Sequence, residues 1–456
     1  MLFLLRNIGI STHHVNALCR MIIAYTDGMR FPQRIHIIGI GGVGLSALAR
    51  LLVHRGHAIS GTEDNPSHET LDSLRAEGVM ISEDLEPSHL PQAECYLYSD
   101  AWLTKHSAVL EEARRRGVPT LSYFEALGRV AQEYQVIAVA GAHGKTTTTA
   151  MMIDVAETAG LDPSAIVGSL RAKTGSNFRA GDGAYFIVEA DEYRRHFLNF
   201  TPHILIITNI DADHLDYYKD LADIQSAFRE LVQKIPSDGF VVCDPDSPAV
   251  RPVIEGAHCT IIDYKRYFDP QLPLKVLPLH RINAAAVLAA AEVLDISQDA
   301  ARHALADFTG TWRRFEYKGT TKSGAIVYDD YGHHPTEVKT TLESVRQQFP
   351  DKHLIVAFHP HLYSRTKILM KEFSEAFGAA DDVILAPIFA AREAPDPSVT
   401  SEILAQRIRE HGIPAQAMGS LELIAEYLEN TAGPDDIILT MGAGDIYKVA
   451  EALVSR

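Results

Sequence analysis

The sequence predicts an α/β protein in which three parallel sheets, each covered by helices, follow one another along the chain. Three observations carry that expectation. At 456 residues the chain exceeds one ordinary core. Short apolar runs of strand length alternate with helix-period stretches, the pattern of parallel strands joined by crossover helices. A glycine turn joins strand to helix at "IIGIGGVGL" and again at "IAVAGAHGKT".

In the first run, residues 34–38 form an apolar strand and Leu45–Arg55 has helical periodicity. "AISGTED" and "ECYLYSDAW" supply further strands, and "HSAVLEEARRRG" a helix closed by Gly117. The second run opens at "QVIAVAGAHGKTTTT". Its strands "GAYFIVEADE" and "TPHILIITNIDADHLDYY" are continuously apolar, as strands buried on both faces are, and end in polar clusters. "HRINAAAVLAAAEVL" and "SQDAARHALADFTG" read as its last helices. The third run follows "TWRRFEYKG", with strands at "AIVYDDYGHHP", "HLIVAFHPH", "DDVILAPIFAA" and "DDIILTMGAGD". The expected divisions are 34–134, 135–309 and 310–456. Residues 1–33 read as a leader or a start-site extension, because "MRFPQRIHIIGIGG" from Met29 has the look of a natural start.

Composition narrows the function. Apolar residues make up 46% and charged residues 22%, an ordinary balance for a soluble protein. A net charge of −17 argues against nucleic acid as a partner, which requires a basic face. No apolar run reaches the roughly 18 residues of a membrane span. Cys19, Cys95, Cys243 and Cys259 show no CxxC spacing. Neither a disulfide framework nor a zinc ribbon is expected, and a reducing cytoplasm is the simplest compartment.

Gly39, Gly41, Gly42 and Gly44 stand in "GIGGVG", which satisfies G-x-G-x-x-G between a strand and a helix. Bare glycines let the backbone approach a diphosphate, and the helix N-terminus favours its charge. Glu63 or Asp64, about 20 residues on, can accept from a ribose hydroxyl. That context expects a nucleotide without choosing NAD over another. The second loop, Gly141-Ala142-His143-Gly144-Lys145-Thr146-Thr147, ends like a phosphate-binding loop but has two residues fewer between its glycines than G-x-x-x-x-G-K-[ST]. Backbone N–H groups there cradle phosphates, Lys145 reaches their oxygens, and a threonine can ligate Mg²⁺. Glu189, Asp191 and Glu192, then Asp211, Asp213, His214 and Asp216, fall at later strand ends on the same edge of the sheet. Of these, Glu189 and His214 are the expected metal ligands. Arg365 is a candidate for a substrate carboxylate, with a surface ion pair as the alternative. "MGAGD" reads as a structural turn.

Taken together, "GIGGVG", "GAHGKTTTT", "EADE", "NIDADHLDYY", "WRRFE", "DDYGHHPTE", "HPHLYSRTK" and "MGAGD" resemble the Mur ligase family of peptidoglycan synthesis, in order from about residue 34 to the C-terminus. In that family the shortened loop is the normal form. The resemblance implies a Rossmann-like N-terminal domain for a UDP-sugar, a central P-loop ATPase-like domain, and a Rossmann-like C-terminal domain that completes the ATP site and binds an amino acid. It further implies an acyl phosphate made by ATP on the lactyl carboxylate of UDP-N-acetylmuramate and attacked by the amine of L-alanine. Mg²⁺ would be required, with Mn²⁺ able to substitute, in a cytoplasmic monomer or weak homodimer.

Carried over by residue, the resemblance makes Lys145, His214, His333 and Arg365 catalytic and Thr146, Glu189 and His214 metal ligands. Gly141 to Thr147, Asn283, Arg314 and Asp330 would bind ATP. Gly39, Gly41, Gly42, Gly44, Glu63, Ser99 and Asn177 would bind the UDP-sugar. Tyr331, His333, His361 and Arg365 would bind the amino acid. Three departures stand out: Leu362 replaces an arginine of "PHRYSRT", "EADEYRRHF" replaces "EADESD…F", and only Asn283 fits an adenine-side asparagine pattern. A tripeptide-adding member of the family shares the fold and the sugar nucleotide, but lacks the "DDYGHHPTE" and "HPHLYSRTK" loops. An NAD-dependent dehydrogenase leaves the second loop and both acidic clusters unexplained. A non-catalytic nucleotide-binding scaffold is opposed by intact Lys145, Glu189 and His214.

Overall fold

Strands that are apolar on both faces can only be satisfied inside a helix-covered sheet, and the chain builds three of them. The structure, a computed structural model, describes residues 31–65, 70–215, 217–391 and 393–455. The expected leader lies outside these residues up to position 30, as does Asp216. Phe31 itself is buried, with the Arg129 guanidinium 5.3 Å from its ring centre, so residues 31–33 pack with the first sheet.

The first sheet holds β1 (Arg34–Ile38), β2 (Ala58–Thr62), β3 (Met80–Ser82), β4 (Cys95–Tyr98) and β5 (Thr120–Ser122) in the order β3-β2-β1-β4-β5. All of its pairings are parallel. Chain order reverses between β1 and β4, the crevice where open α/β sheets bind ligands, and "GIGGVG" leaves β1 at that point. The second sheet holds β6 (Gln135–Ala140), β7 (Ser164–Arg171), β8 (Ser176–Arg179), β9 (Tyr185–Glu189), β10 (Ile204–Ile207), β11 (Phe240–Cys243) and β12 (Thr260–Asp263). Their order is β12-β11-β10-β6-β9-β7-β8. β6 therefore delivers its glycine loop between the carboxyl ends of β9 and β10. The β7–β8 hairpin, which the sequence reading missed, is antiparallel.

The third sheet holds β13 (Glu316–Thr320), β14 (Ile326–Asp330), β15 (His353–Phe358), β16 (Asp382–Leu385), β17 (Ala415–Ala417) and β18 (Asp436–Met441) in the order β13-β14-β18-β15-β16-β17. β13 is antiparallel to β14.

One buried cluster runs from Ile37 and Leu48 through Leu127 and Val130 to Phe197 and Phe228, so the first two sheets share a core. A methyl at Gly128 would lie 2.5 Å from the carbonyl of Asn199, which shows how closely the two units approach. The third sheet has cores of its own on either face. Its connection is annealed to the end of β7: Trp312 N donates to Leu170 O and Ala172 N to Gly310 O.

Arg313 locks the start of the third unit. It is 2% exposed, donates Nε to Asp329 Oδ2 at 2.7 Å, and donates its remaining nitrogens to the carbonyls of Gly442 and Gly444. "WRRFE" and "MGAGD" are thus two halves of one buried contact. Removing one partner of such a pair strands a charge in the interior. Arg313→Ala is expected to destabilise the third unit by about 3–5 kcal/mol, read as a lowered urea midpoint.

Candidate active site

The phosphate-type loop is shaped by its neighbours on β10. Asn209 grips both backbone groups of His143, accepting from its N–H at 3.0 Å and donating to its carbonyl at 2.9 Å. Thr208 Oγ1 donates to the same carbonyl at 2.7 Å. Gly141 has φ +138° and Gly144 φ +80°, and a β-carbon on Gly141 would fall 2.1 Å from Thr208 Oγ1. The loop then feeds the helix Lys145–Thr158, whose N-terminus carries unsatisfied N–H groups and a partial positive charge.

Lys145 Nζ donates to the carbonyl of Gly141 at 2.6 Å and to Glu192 Oε1 at 2.9 Å. Burial works against its charge, but the carboxylates of Glu192, Asp191 and Glu189 outweigh that and raise its pKa. The expected metal ligands divide into two groups. Thr146 Oγ1 donates to Glu189 Oε1 at 3.0 Å, and the other Glu189 oxygen accepts from Gly168 N. His214 instead joins Asp191 and Glu192, with one ligand atom from each of the three lying within 4.8 Å of the others. Hard oxygens with one imidazole nitrogen suit a small divalent cation, so the donor set fits one. Burial raises the pKa of Glu189 despite Lys145 beside it.

Beside the loop lies a cavity of about 310 Å³, within the size range of small-ligand sites, between the second and third units. His143, Gly144, Thr147, Asn283, Arg314 and Asp330, six of the residues expected to bind ATP, line it. Asn283 Nδ2 donates to His280 Nδ1 at 3.1 Å. Burial, with Arg314 adding to it, pushes the pKa of His280 down to about 3. Burial likewise pushes the Asp330 carboxyl up to about 6, against the opposing charge of Arg314.

Two further contacts close the cavity across the units. His143 Nε2 is 3.1 Å from Asp211 Oδ2 and its Nδ1 is 3.3 Å from Glu337 Oε1. Thr336 Oγ1 donates to Asp211 Oδ2 at 3.0 Å. Burial disfavours the charged imidazole, yet Asp211 and Glu337 raise the His143 pKa to about 9.

The residues expected to meet an amino acid form a connected row. The Tyr331 and His333 rings are 5.4 Å apart, and the His333 and His361 rings 6.0 Å. His361 also stacks on Phe389. Burial lowers the His333 pKa to about 4, leaving a neutral imidazole. Arg365 Nη2 contacts Asp213 Oδ1 at 3.2 Å. At the first sheet, Gly39 passes so close to Trp102 that a β-carbon would lie 2.3 Å from the indole nitrogen. Glu63 is turned onto the loop, its oxygens accepting from Gly41 N at 2.7 Å and Asp64 N at 3.0 Å; it braces the turn rather than facing outward. Ser99 sits just beyond β4, where its carbonyl accepts from Trp102 N. Asn177, carried by the unforeseen hairpin, donates to Val43 O at 3.0 Å and so reaches the glycine turn.

Asn209, Glu192, Asp213 and Glu337 also hold the site together, and the motif reading did not single them out as functional. Their sequence signal was membership of the motifs that follow strand ends, with Glu192 in "EADE", Asn209 and Asp213 in "NIDADHLDYY" and Glu337 in "DDYGHHPTE".

Three family models match the chain in succession. The Mur ligase family catalytic domain matches residues 34–135, the Mur ligase middle domain residues 139–269, and the Mur ligase glutamate ligase domain residues 313–444. The chain is 40% identical over 451 residues to the UDP-N-acetylmuramate–L-alanine ligase of Desulfitobacterium hafniense, covering 93% of this chain and 100% of that one. The enzyme of the same name from Clostridium kluyveri is 36% identical over 453 residues, covering 93% and 98%. Among solved structures, UDP-N-acetylmuramate–alanine ligase of Thermotoga maritima superposes with a TM-score of 0.75 at 24% identity, covering 93% and 98%. A murein peptide ligase of Psychrobacter arcticus gives 0.67 at 24% identity over the same shares.

The His143 contacts carry a pH dependence. A histidine whose pKa is raised on folding stabilises the fold fully below its unfolded value, 6.5, and loses that contribution as pH rises through about 9. Urea unfolding followed between these limits is expected to show declining stability that His143→Gln flattens.

Proposed function

This chain belongs to the Mur ligase family, and from that premise we propose that it joins L-alanine to UDP-N-acetylmuramate, converting ATP to ADP and phosphate. The observation that carries the reading is a phosphate-type loop that borders a cavity, with a divalent-cation donor set around the Glu192 that holds Lys145, in a chain similar over 93% of its length to L-alanine ligases.

A carboxylate repels a nucleophile and has no leaving group. In the proposed first step a lactyl carboxylate oxygen attacks the γ-phosphorus of ATP, ADP departs, and an acyl phosphate forms. In the second the neutral amine of L-alanine attacks the acyl carbon, the tetrahedral adduct expels phosphate, and the amine proton is released. Lys145 and the N–H groups at the helix start, residues 144–146, would face the transferring phosphoryl group and offset its charge, while the N–H groups of Ala142 and His143 are committed to Asn209. Bound Mg²⁺, held by Thr146 and Glu189 and by His214 with Asp191 and Glu192, would screen the phosphate oxygens. Asn283 and His280 border the adenine side, and Arg314 with Asp330 the third-unit wall. His333, neutral through burial, is placed to accept a hydrogen bond from the incoming ammonium or amine. The loop at Gly39–Gly44, with Asn177 beside it, holds the UDP end. Water must be kept from the acyl phosphate, and the contacts of His143 and Thr336 across the cleft close it. Such a reaction draws on cytoplasmic ATP and UDP-sugar.

Phosphate release from ATP with UDP-N-acetylmuramate tests the assignment, using L-alanine, L-serine, glycine and the murein tripeptide as acceptors. Turnover with L-alanine well above the tripeptide is expected. Turnover with the tripeptide alone would transfer the chain to the peptide-adding branch.

A further inference from the structure

Arg365 and Asp213 come from different units. Arg365 stands in the helix Tyr363–Ile368 after β15, and Asp213 in the loop after β10. Both side chains are about nine-tenths buried, with exposures of 12% and 11%, and the guanidinium Nη2 meets Asp213 Oδ1 at 3.2 Å. Asp213 is held firmly: the same oxygen accepts from His214 N at 2.7 Å, and Asp213 N donates to Asp211 O. His214 is kept at φ +54°, a left-handed conformation unfavourable for a residue with a β-carbon.

The contact is one-pronged. Among the described residues the Arg365 guanidinium makes no second hydrogen bond, so the rest of its fork is uncommitted. Leu362, Ile368 and Leu369 share the hollow with the pair, an apolar surround that strengthens whatever ion pair forms there. Leu362 contributes no donor, so a single guanidinium must receive the carboxylate, and its orientation decides how well.

We propose that Asp213 is a positioning residue for the acceptor: it tethers Arg365 by one nitrogen across the domain boundary and leaves the remaining donors aimed at the carboxylate of the incoming amino acid. This rests on the ligase reading above. It also means that the acceptor site is complete only when the third unit is docked on the second.

Asp213→Asn separates this role from a structural one, because asparagine keeps an oxygen for His214 N–H and loses only the charge. Steady-state kinetics should show the KM for L-alanine raised about tenfold or more, with the KM values for ATP and UDP-N-acetylmuramate within about twofold of wild type. Asp213→Asn combined with Arg365→Ala should be no worse in kcat/KM for L-alanine than Arg365→Ala alone, because both remove one interaction. Effects that multiply, a KM for ATP that rises in step, or a lowered KM for L-alanine would each overturn the role. Should Asp213→Asn fail to fold, Arg365→Lys, which retains the charge but not the fork, must show the same selective rise. Wild-type protein inactive with every free L-amino acid would sink the ligase reading and this role together. Active wild type with an unaffected Asp213→Asn would sink this role only.

Discussion

The position of β6 between β9 and β10 governs the cleft. A loop leaving the carboxyl end of β6 is flanked by whatever the two neighbouring strands carry at their own ends. β9 ends in Glu189, followed by Asp191 and Glu192; β10 is followed by Asn209, Asp211, Asp213 and His214. Parallel pairing in register brings these ends level, so segments 43 to 47 and 66 to 68 residues from their partners in the loop become its walls. Asn209 can then brace His143, Glu189 can reach Thr146, and Glu192 can hold Lys145.

That arrangement concentrates negative charge around the loop. Lys145 is a buried cation in direct contact with these carboxylates, its ammonium 2.8 Å from Glu192 Oε2. The same acids supply the oxygen donors that a divalent cation needs, which reconciles an acidic pocket with an anionic substrate. Across the cleft the third unit approaches through polar contacts, from Thr336 and Glu337 to Asp211 and His143, whereas the first two units share a hydrophobic core. Leu277 and Leu279 of the second unit add an apolar contact across the cleft, packing with the third unit's core.

Much of this was legible in the sequence. The continuous apolar strands, the two glycine turns and the polar strand ends are local signals, and their order specified three α/β units and the edge on which ligands bind. The β7–β8 hairpin escaped because "SAIVGSLRAKTGSNFR" mixes charged and small residues without a clean period, yet it is what brings Asn177 to the first unit. Glu63 carried the right spacing for a ribose contact, but spacing cannot show that both oxygens turn back onto backbone N–H groups. Asp213 and Glu337 looked like ordinary loop and helix-start acids. Their partners, Arg365 and His143, lie more than a hundred residues away, and no local pattern encodes such pairings.

The central claim is that this cleft activates a carboxylate by phosphorylating it. Oxygen-18 placed in the lactyl carboxylate of UDP-N-acetylmuramate tests that directly, with the released phosphate analysed by mass spectrometry after turnover with ATP and L-alanine. Transfer of one labelled oxygen to each phosphate is the predicted result, because the carboxylate oxygen that attacks phosphorus leaves with it. Unlabelled phosphate accompanied by amide product would contradict the account.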